Sequence, residues 1–158
     1  MKKLRCLVAA VLLLSTLFAL SSCGNTTLKN DIDVRKLWKE NVLDYKAATL
    51  LYINDYQNVN SHAYAFTKIK DECLDDAIKL IRSLGEASCT KIEKSDLAGH
   101  NFDKCCLISI PVNDGVFSIY LYDRYLSINN EFYFQIDYDR DYIVKQLDSM
   151  AQPKMQLE

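Results

Sequence analysis

The hydrophobic residues of the chain follow two kinds of pattern, one with helical spacing and one with strict alternation. Helical spacing runs over Asp31–Tyr45, Asp71–Leu84 and Asp139–Met150, where apolar residues recur three or four positions apart. Acidic residues lie at or near the start of each segment, and Gly85 directly follows the second one. Both features are typical of helix ends. The pattern therefore predicts three helices.

Alternation is clearest in the second half of the chain. Between 117 and 122 the odd positions are apolar, whereas serine and tyrosine occupy the even positions, so the two sets face opposite sides of a strand. Residues 106–110 and 132–136 alternate in a similar way. Asn113-Asp114-Gly115 and Asn129-Asn130 are turn sequences that fit between strands. The pattern predicts an antiparallel meander with Ile108, Ile119 and Phe134 on its inward face.

Weaker patterns predict further strands over 46–55, 62–70 and 88–93. Residues 125–128 are predicted to continue the strand before them. Helices that are separate from an antiparallel sheet define an α+β fold. We expect a sheet of about four to six strands with two or three helices packed mainly on one face.

The first residues of the chain follow a different pattern. Three basic residues within the first five positions precede an uncharged apolar stretch from Leu7 to Leu20. As a helix this stretch would reach only about 21 Å, which is short of a hydrocarbon core of about 30 Å. Leu20-Ser21-Ser22-Cys23-Gly24 follows. The arrangement resembles the signal peptide and lipobox of bacterial lipoproteins.

This resemblance implies that the chain is cut before Cys23 and that the Cys23 thiol carries lipid. It divides the chain into a signal peptide (1–22), the lipidated cysteine with a tether (23–30), a single domain (31–150) and a C-terminal tail (151–158). The expected location is the extracytoplasmic face of the cell membrane. The Tyr- and Asn-rich domain also resembles small uncharacterised lipoproteins of low-GC Gram-positive bacteria, which implies no functional residues.

Charge argues against one class of partner. The formal net charge is −2, and removal of the three positive charges in the signal peptide leaves about −5. A mildly acidic chain without a basic stripe is a poor partner for nucleic acid. The expected partners are the membrane, through the lipid on Cys23, and a protein, peptide or glycan at the cell surface.

Cys73, Cys89, Cys105 and Cys106 remain in the mature domain. Adjacent strand residues face opposite sides, so Cys105 and Cys106 should not bond each other. Two alternatives stay open. Either Cys89 and Cys105 form one disulfide, or all four cysteines are small buried thiols. A zinc site would need Cys89, His100, Cys105 and Cys106, but no Cys-x-x-Cys motif is present.

No catalytic residue, metal or cofactor is predicted. The two histidines, His62 and His100, lie in or beside loops without a nucleophile signature, and the common catalytic motifs are absent. Residues 137–148 resemble a calcium loop only superficially, because Tyr142 stands where a glycine is needed. Acids at a helix N-terminus explain this segment better.

Tyrosine is the remaining feature, with ten in the chain. Tyr120, Tyr122 and Tyr133 are predicted to lie on the outward face of the meander, where they would form a binding surface. In the rival interpretation, helix 31–45 covers this face through Trp38. The function we expect is a non-catalytic binding module. The alternatives are an immunity-type lipoprotein that binds a secreted protein, and a small cell-surface hydrolase.

Overall fold

The structure is a computed structural model that describes residues 26–45, 49–53, 66–97, 105–113 and 115–152. Its centre is one antiparallel sheet of eight strands, in the order β1-β4-β8-β7-β6-β5-β2-β3. The strands are β1 (Thr26–Thr27), β2 (Leu51–Ile53), β3 (Thr67–Lys68), β4 (Ser88–Ile92), β5 (Cys106–Val112), β6 (Gly115–Leu121), β7 (Tyr125–Ile128) and β8 (Phe132–Ile136). The α+β class is confirmed, although the sheet is larger than predicted.

Three helices accompany the sheet. Helix α1 (Arg35–Trp38) continues as a π-helix over Lys39–Leu43. A 3₁₀ turn over Asp71–Cys73 leads into α2 (Leu74–Leu84), and α3 covers Arg140–Met150. The buried side chains of all three helices belong to one hydrophobic cluster with the inward residues of the sheet. The helices therefore pack on one face, as predicted.

The core confirms the predicted strand faces. Ile108, Ile119 and Phe134 are each fully buried within the cluster. Trp38 packs edge-on against Phe117 in the same cluster, with the ring centroids 6.4 Å apart. The odd positions of β6 thus face the helices, which leaves its even positions on the opposite side of the sheet.

The two extra strands arise where the sequence pattern is weak. Residues 125–128 form a separate returning strand, β7, rather than a continuation of β6, because the chain turns over Asp123–Arg124. Thr26–Thr27 pairs with β4 as β1, and Leu28 is fully buried. Residues 26–30, which the sequence assigned to a tether, are therefore part of the fold.

Both predicted turns are present. Val112 pairs with Gly115 across the β5–β6 hairpin. In the β7–β8 turn Asn129 and Asn130 have φ values of 54° and 56°. The Glu131 N–H donates to the Ile128 carbonyl at 3.0 Å. Positive φ at both central residues is the type I′ geometry that suits a twisted hairpin.

Aspartate side chains accept hydrogen bonds from free backbone N–H groups at the starts of two helical segments. The Asp31 side chain accepts from the N–H groups of Asp33 and Val34 at 3.0 and 3.3 Å in the turn that leads into α1, whose own N-cap residue, Val34, makes no side-chain cap bond. Asp139 caps α3 by accepting from the Tyr142 N–H at 2.9 Å. Satisfying these free N–H groups stabilises each helix start.

The first tail residues also belong to the sheet. Ala151 forms a bridge with Ile69, and the Gln152 N–H donates to the Lys68 carbonyl at 2.8 Å. Residues 151 and 152, which the sequence assigned to the C-terminal tail, therefore pair with the β3 edge of the sheet.

Candidate functional site: the tyrosine face

The outward face of the sheet brings the three predicted tyrosines together. Tyr120 pairs with Ser127, and Ser127 pairs with Tyr133 on the next strand. Directly paired residues share a face, so Tyr120 and Tyr133 lie on the same side. Tyr122, two positions after Tyr120, lies there too. This side is opposite the three helices.

A fourth tyrosine joins this face, and the sequence analysis missed it. Tyr125 pairs with Gln135, and its carbonyl accepts from the Tyr122 N–H at 2.8 Å. The charged pair Asp123-Arg124 between the two tyrosines was the available signal for a turn. We call Tyr120, Tyr122, Tyr125 and Tyr133 the tyrosine face.

The rival interpretation, with the first helix over these tyrosines, was wrong. Trp38 of α1 contacts Phe117, which lies on the helix side of β6. Since Phe117 and Tyr120 have opposite orientations on the same strand, α1 cannot cover the tyrosine face.

The four tyrosines differ in exposure. Tyr133 is only 6% exposed, and its hydroxyl donates to the backbone and side-chain oxygens of Asn130, both at 2.8 Å. The Lys94 ammonium lies 5.9 Å from the centre of its ring. The other three rings are half-buried. Tyr133 is thus the floor of the face, and the other three form its accessible part.

Ser127 lies between Tyr120 and Tyr133 in the centre of this row. Its side chain is fully buried, and its Oγ has no hydrogen-bond partner. Leu107, which pairs with Tyr120 on the other side, is also buried. A small second core therefore supports the tyrosine face from β5 to β8.

Burial controls the chemistry of the polar groups on this face. Desolvation raises the pKa of the Cys105 thiol to about 12, and its contact with the Tyr122 hydroxyl only partly opposes this effect. Desolvation is also the main cause of the raised pKa of Tyr122. Because the thiolate is the nucleophilic form, a thiol with such a pKa is inert at neutral pH.

A polar cleft of about 630 Å³ adjoins the tyrosine face beside Tyr125. Its lining includes Thr90, Asp123, Arg124, Gln135 and Asp137. Gln135 and Thr90 continue the row of Tyr125 across β8 and β4. Amide, hydroxyl, guanidinium and carboxylate groups therefore stand next to aromatic rings, a combination that can hydrogen-bond and stack at once.

The predicted Cys89–Cys105 disulfide does not fit the fold. Cys89 lies on β4 and Cys105 at the start of β5, with β8, β7 and β6 between them. Four strand spacings amount to roughly 19 Å, whereas bridged cysteines need Cα atoms within about 7 Å. The four cysteines of the described residues are free, and Cys89, Cys105 and Cys106 are buried. The buried-thiol alternative therefore holds for these three, whereas Cys73 is half-buried.

The structure also bears on the predicted metal and calcium sites. Within the described residues, no three His, Cys, Asp or Glu side chains converge as metal ligands, and no helix is long and apolar enough to cross a membrane. Helix α3 runs through residues 140–150, so the calcium-loop interpretation does not fit this segment. Cys23, His62 and His100 lie outside the described residues.

Comparisons with protein-family models, with curated proteins and with solved structures find no match to this chain.

Proposed function

We propose that the chain is a lipoprotein anchored at the extracytoplasmic face of the cell membrane and that its domain is a non-catalytic binding module. The lipobox around Cys23 supports the anchor. The observation that carries the binding role is the position of Tyr120, Tyr122 and Tyr125 on the sheet face opposite all three helices. Tyrosine supplies flat apolar contact area and a hydrogen-bonding hydroxyl at low entropic cost.

The anchor is tested by metabolic labelling with an alkyne fatty acid in a bacterial host. Cys23→Ala should lose the label completely and accumulate as uncleaved precursor, because no thiol remains at the lipobox position to accept the diacylglyceryl group. Cys6→Ala is the matched control, since it removes a cysteine of the same signal segment and should keep full labelling. Undiminished label on Cys23→Ala would refute the anchor.

Two ligand classes suit the tyrosine face, namely glycans and extended peptides. The polar cleft beside Tyr125 favours glycans, because sugar hydroxyls pair with the side chains of Gln135 and Arg124 while the sugar ring stacks on tyrosine. Peptides would rely on the tyrosine rings themselves. Both classes are consistent with a cell-surface module.

Binding is tested with the full-length protein in detergent micelles. The probes are chitotetraose and a library of 15-residue peptides with mixed sequences. Saturable binding to either probe should weaken about tenfold or more in Tyr120→Ser with Tyr125→Ser, because interface aromatics commonly contribute over 1 kcal/mol each. Tyr142→Ser is the matched control, since Tyr142 is an exposed tyrosine on α3.

Equal binding by the double variant and the control, or no binding of either probe class, would contradict this use of the tyrosine face. Circular dichroism of each variant verifies that the fold survives. A hydrolase receives less support, because burial raises the pKa values of Cys105 and Cys106 to about 12.

A further inference from the structure

The position of β1 limits how far the domain can lie from the proposed lipid. Only Gly24 and Asn25 separate Cys23 from Thr26, the first residue of the sheet. Three Cα–Cα steps span at most about 11 Å. If Cys23 is lipidated, the edge of the sheet at Thr26 must therefore lie close to the membrane surface.

The register of β1 defines which end of the sheet this is. Thr26 pairs with Cys89 and Thr27 with Ser88, so the N-terminal end of β1 points toward the Ile92 end of β4. Antiparallel pairing then places the β7–β8 turn and the β5–β6 hairpin at the same end. We call it the anchor end.

Helix α1 runs across the anchor end. Asp33, just before the helix, forms an ion pair with Lys91 of β4. At the other end of the helical segment, Glu40, Asn41, Asp44 and Tyr45 line a common cleft with residues 110–113 of the β5–β6 hairpin. The helix therefore crosses from the β4 side of the sheet to the β5 side.

Exposed apolar side chains concentrate at the anchor end. Six large hydrophobic residues of the described chain are exposed, and four of them lie there. They are Ile32 (74% exposed), Leu43 (38%), Val112 (37%) and Val116 (56%). The other two, Phe66 and Tyr142, precede β3 and begin α3 at the opposite end of the sheet. Scattered apolar residues are ordinary on a surface, but their concentration at one end marks an interaction site.

The charge of α1 indicates the partner. Arg35, Lys36 and Lys39 are exposed on its outer side, and Lys36 and Lys39 lie between Ile32 and Leu43 at helical spacing. Three exposed acids accompany them. Asp33 pairs with Lys91, Glu40 forms a long ion pair with Lys36 at 4.0 Å, and Asp44 follows Leu43. From Arg35 to Leu43 the outer side of the helix thus carries three basic side chains and one acid, and basic groups beside apolar side chains suit an anionic lipid surface.

We propose that the anchor end docks on the membrane that holds the lipid, with Ile32, Leu43, Val112 and Val116 among the headgroups and the basic side of α1 against anionic phosphate groups. This inference rests on the proposed lipidation of Cys23. Docking in this orientation directs the opposite end of the sheet, with Asp123 and Arg124 of the polar cleft, away from the membrane.

The test uses the full-length lipidated protein in vesicles of phosphatidylcholine and phosphatidylglycerol with brominated acyl chains. Val116→Trp places a fluorophore at the anchor end, and Tyr142→Trp is the matched control at the other end. After subtraction of the signal from Trp38, we expect quenching of residue 116 to exceed that of residue 142 by about twofold or more, because interfacial side chains reach the acyl boundary. Equal quenching would overturn the docking.

The role of the basic side of α1 is tested by Lys36→Glu with Lys39→Glu in the Val116→Trp protein. Quenching of residue 116 should fall toward that of residue 142. Increased salt should have the same effect on the Val116→Trp protein that keeps Lys36 and Lys39. If neither the two substitutions nor the added salt lowers the quenching of residue 116, the basic side of α1 has no role in docking. Mass spectrometry of Cys23 and flotation with the vesicles separate the two proposals. A protein without lipid refutes the anchor, whereas a lipidated protein without selective quenching refutes only the docking.

Discussion

The indole ring of Trp38 lies directly against the backbone of Gly85, and this contact sets the distance between helices α1 and α2. A Cβ atom at position 85 would come within 2.9 Å of the indole Cε2 atom and closer still to Nε1. The φ of Gly85 is −66°, which any residue can adopt. Glycine is therefore required here by the close approach of the ring rather than by the backbone conformation.

Gly85→Ala should lower the free energy of unfolding by about 1–3 kcal/mol, because the fully buried Trp38 cannot move away without disturbing the core. Urea unfolding followed by the fluorescence of Trp38 measures this. Glu86→Ala is the control. It removes an exposed ion pair with Lys29 and should cost under about 1 kcal/mol. An alanine variant as stable as the parent would show that the ring is free to shift.

The Trp38–Gly85 contact also illustrates what the sequence can predict. Gly85 was predicted as a helix stop from its position after Leu84, and α2 does end there. The contact with Trp38 joins residues far apart in the chain, and local spacing carries no information about it. In the same way, alternation predicted the faces of β6, whereas β1, with two residues, is too short to show a period.

In the candidate site, too, local sequence predicts the strand faces, whereas contacts between distant residues cannot be predicted from it. The shared face of Tyr120 and Tyr133 followed from period-two alternation on two strands. The burial of Tyr133 depends on its hydrogen bonds to Asn130 across a type I′ turn, which alternation does not describe. The Cys89–Cys105 pair was wrong because strand order, which is a tertiary property, separates β4 from β5.

Asn129 offers a test of the β7–β8 turn. Its φ of 54° is unfavourable for most side chains, and its Oδ1 accepts from the Ser118 N–H at 2.9 Å. Asn129→Ala should lose both the hydrogen bond and the favourable backbone conformation, at about 2 kcal/mol. Asn129→Gly loses only the hydrogen bond and should be about 1 kcal/mol more stable than the alanine variant. Thermal unfolding of both variants measures the difference, and equal stability would contradict the turn geometry.

Phe134 tests the register of the meander. Its fully buried ring faces the helices from β8. Phe134→Ala should cost about 3–5 kcal/mol in the free energy of unfolding, because it leaves a cavity in a packed core. Val116→Ala truncates an exposed side chain on β6 and should change stability by less than about 0.5 kcal/mol. A denaturation midpoint of Phe134→Ala near that of the parent protein would place the ring on the wrong face.

The buried thiols give the domain a dependence on alkaline pH. Desolvation raises the pKa of Cys89 to about 11 and that of Cys105 and Cys106 to about 12, from an ordinary value of 9.0. Above pH 9 the unfolded chain therefore loses thiol protons that the folded chain keeps. The stabilisation linked to these protons is complete below pH 9 and declines as the pH rises toward the folded values.

We expect the free energy of unfolding to fall between pH 9 and 11, with each buried thiol contributing up to about 1.4 kcal/mol per pH unit. Cys106→Ala removes one such thiol from the fully buried core, so its stability should decline less steeply than that of the parent. Ser127→Ala is the matched control, since it truncates a fully buried side chain of similar size whose hydroxyl has no partner and does not titrate in this range. Its slope should equal that of the parent. Urea unfolding at several pH values under reducing conditions measures the slopes. Identical slopes in the parent and Cys106→Ala would mean that the Cys106 thiol ionises as readily in the folded chain as in the unfolded one.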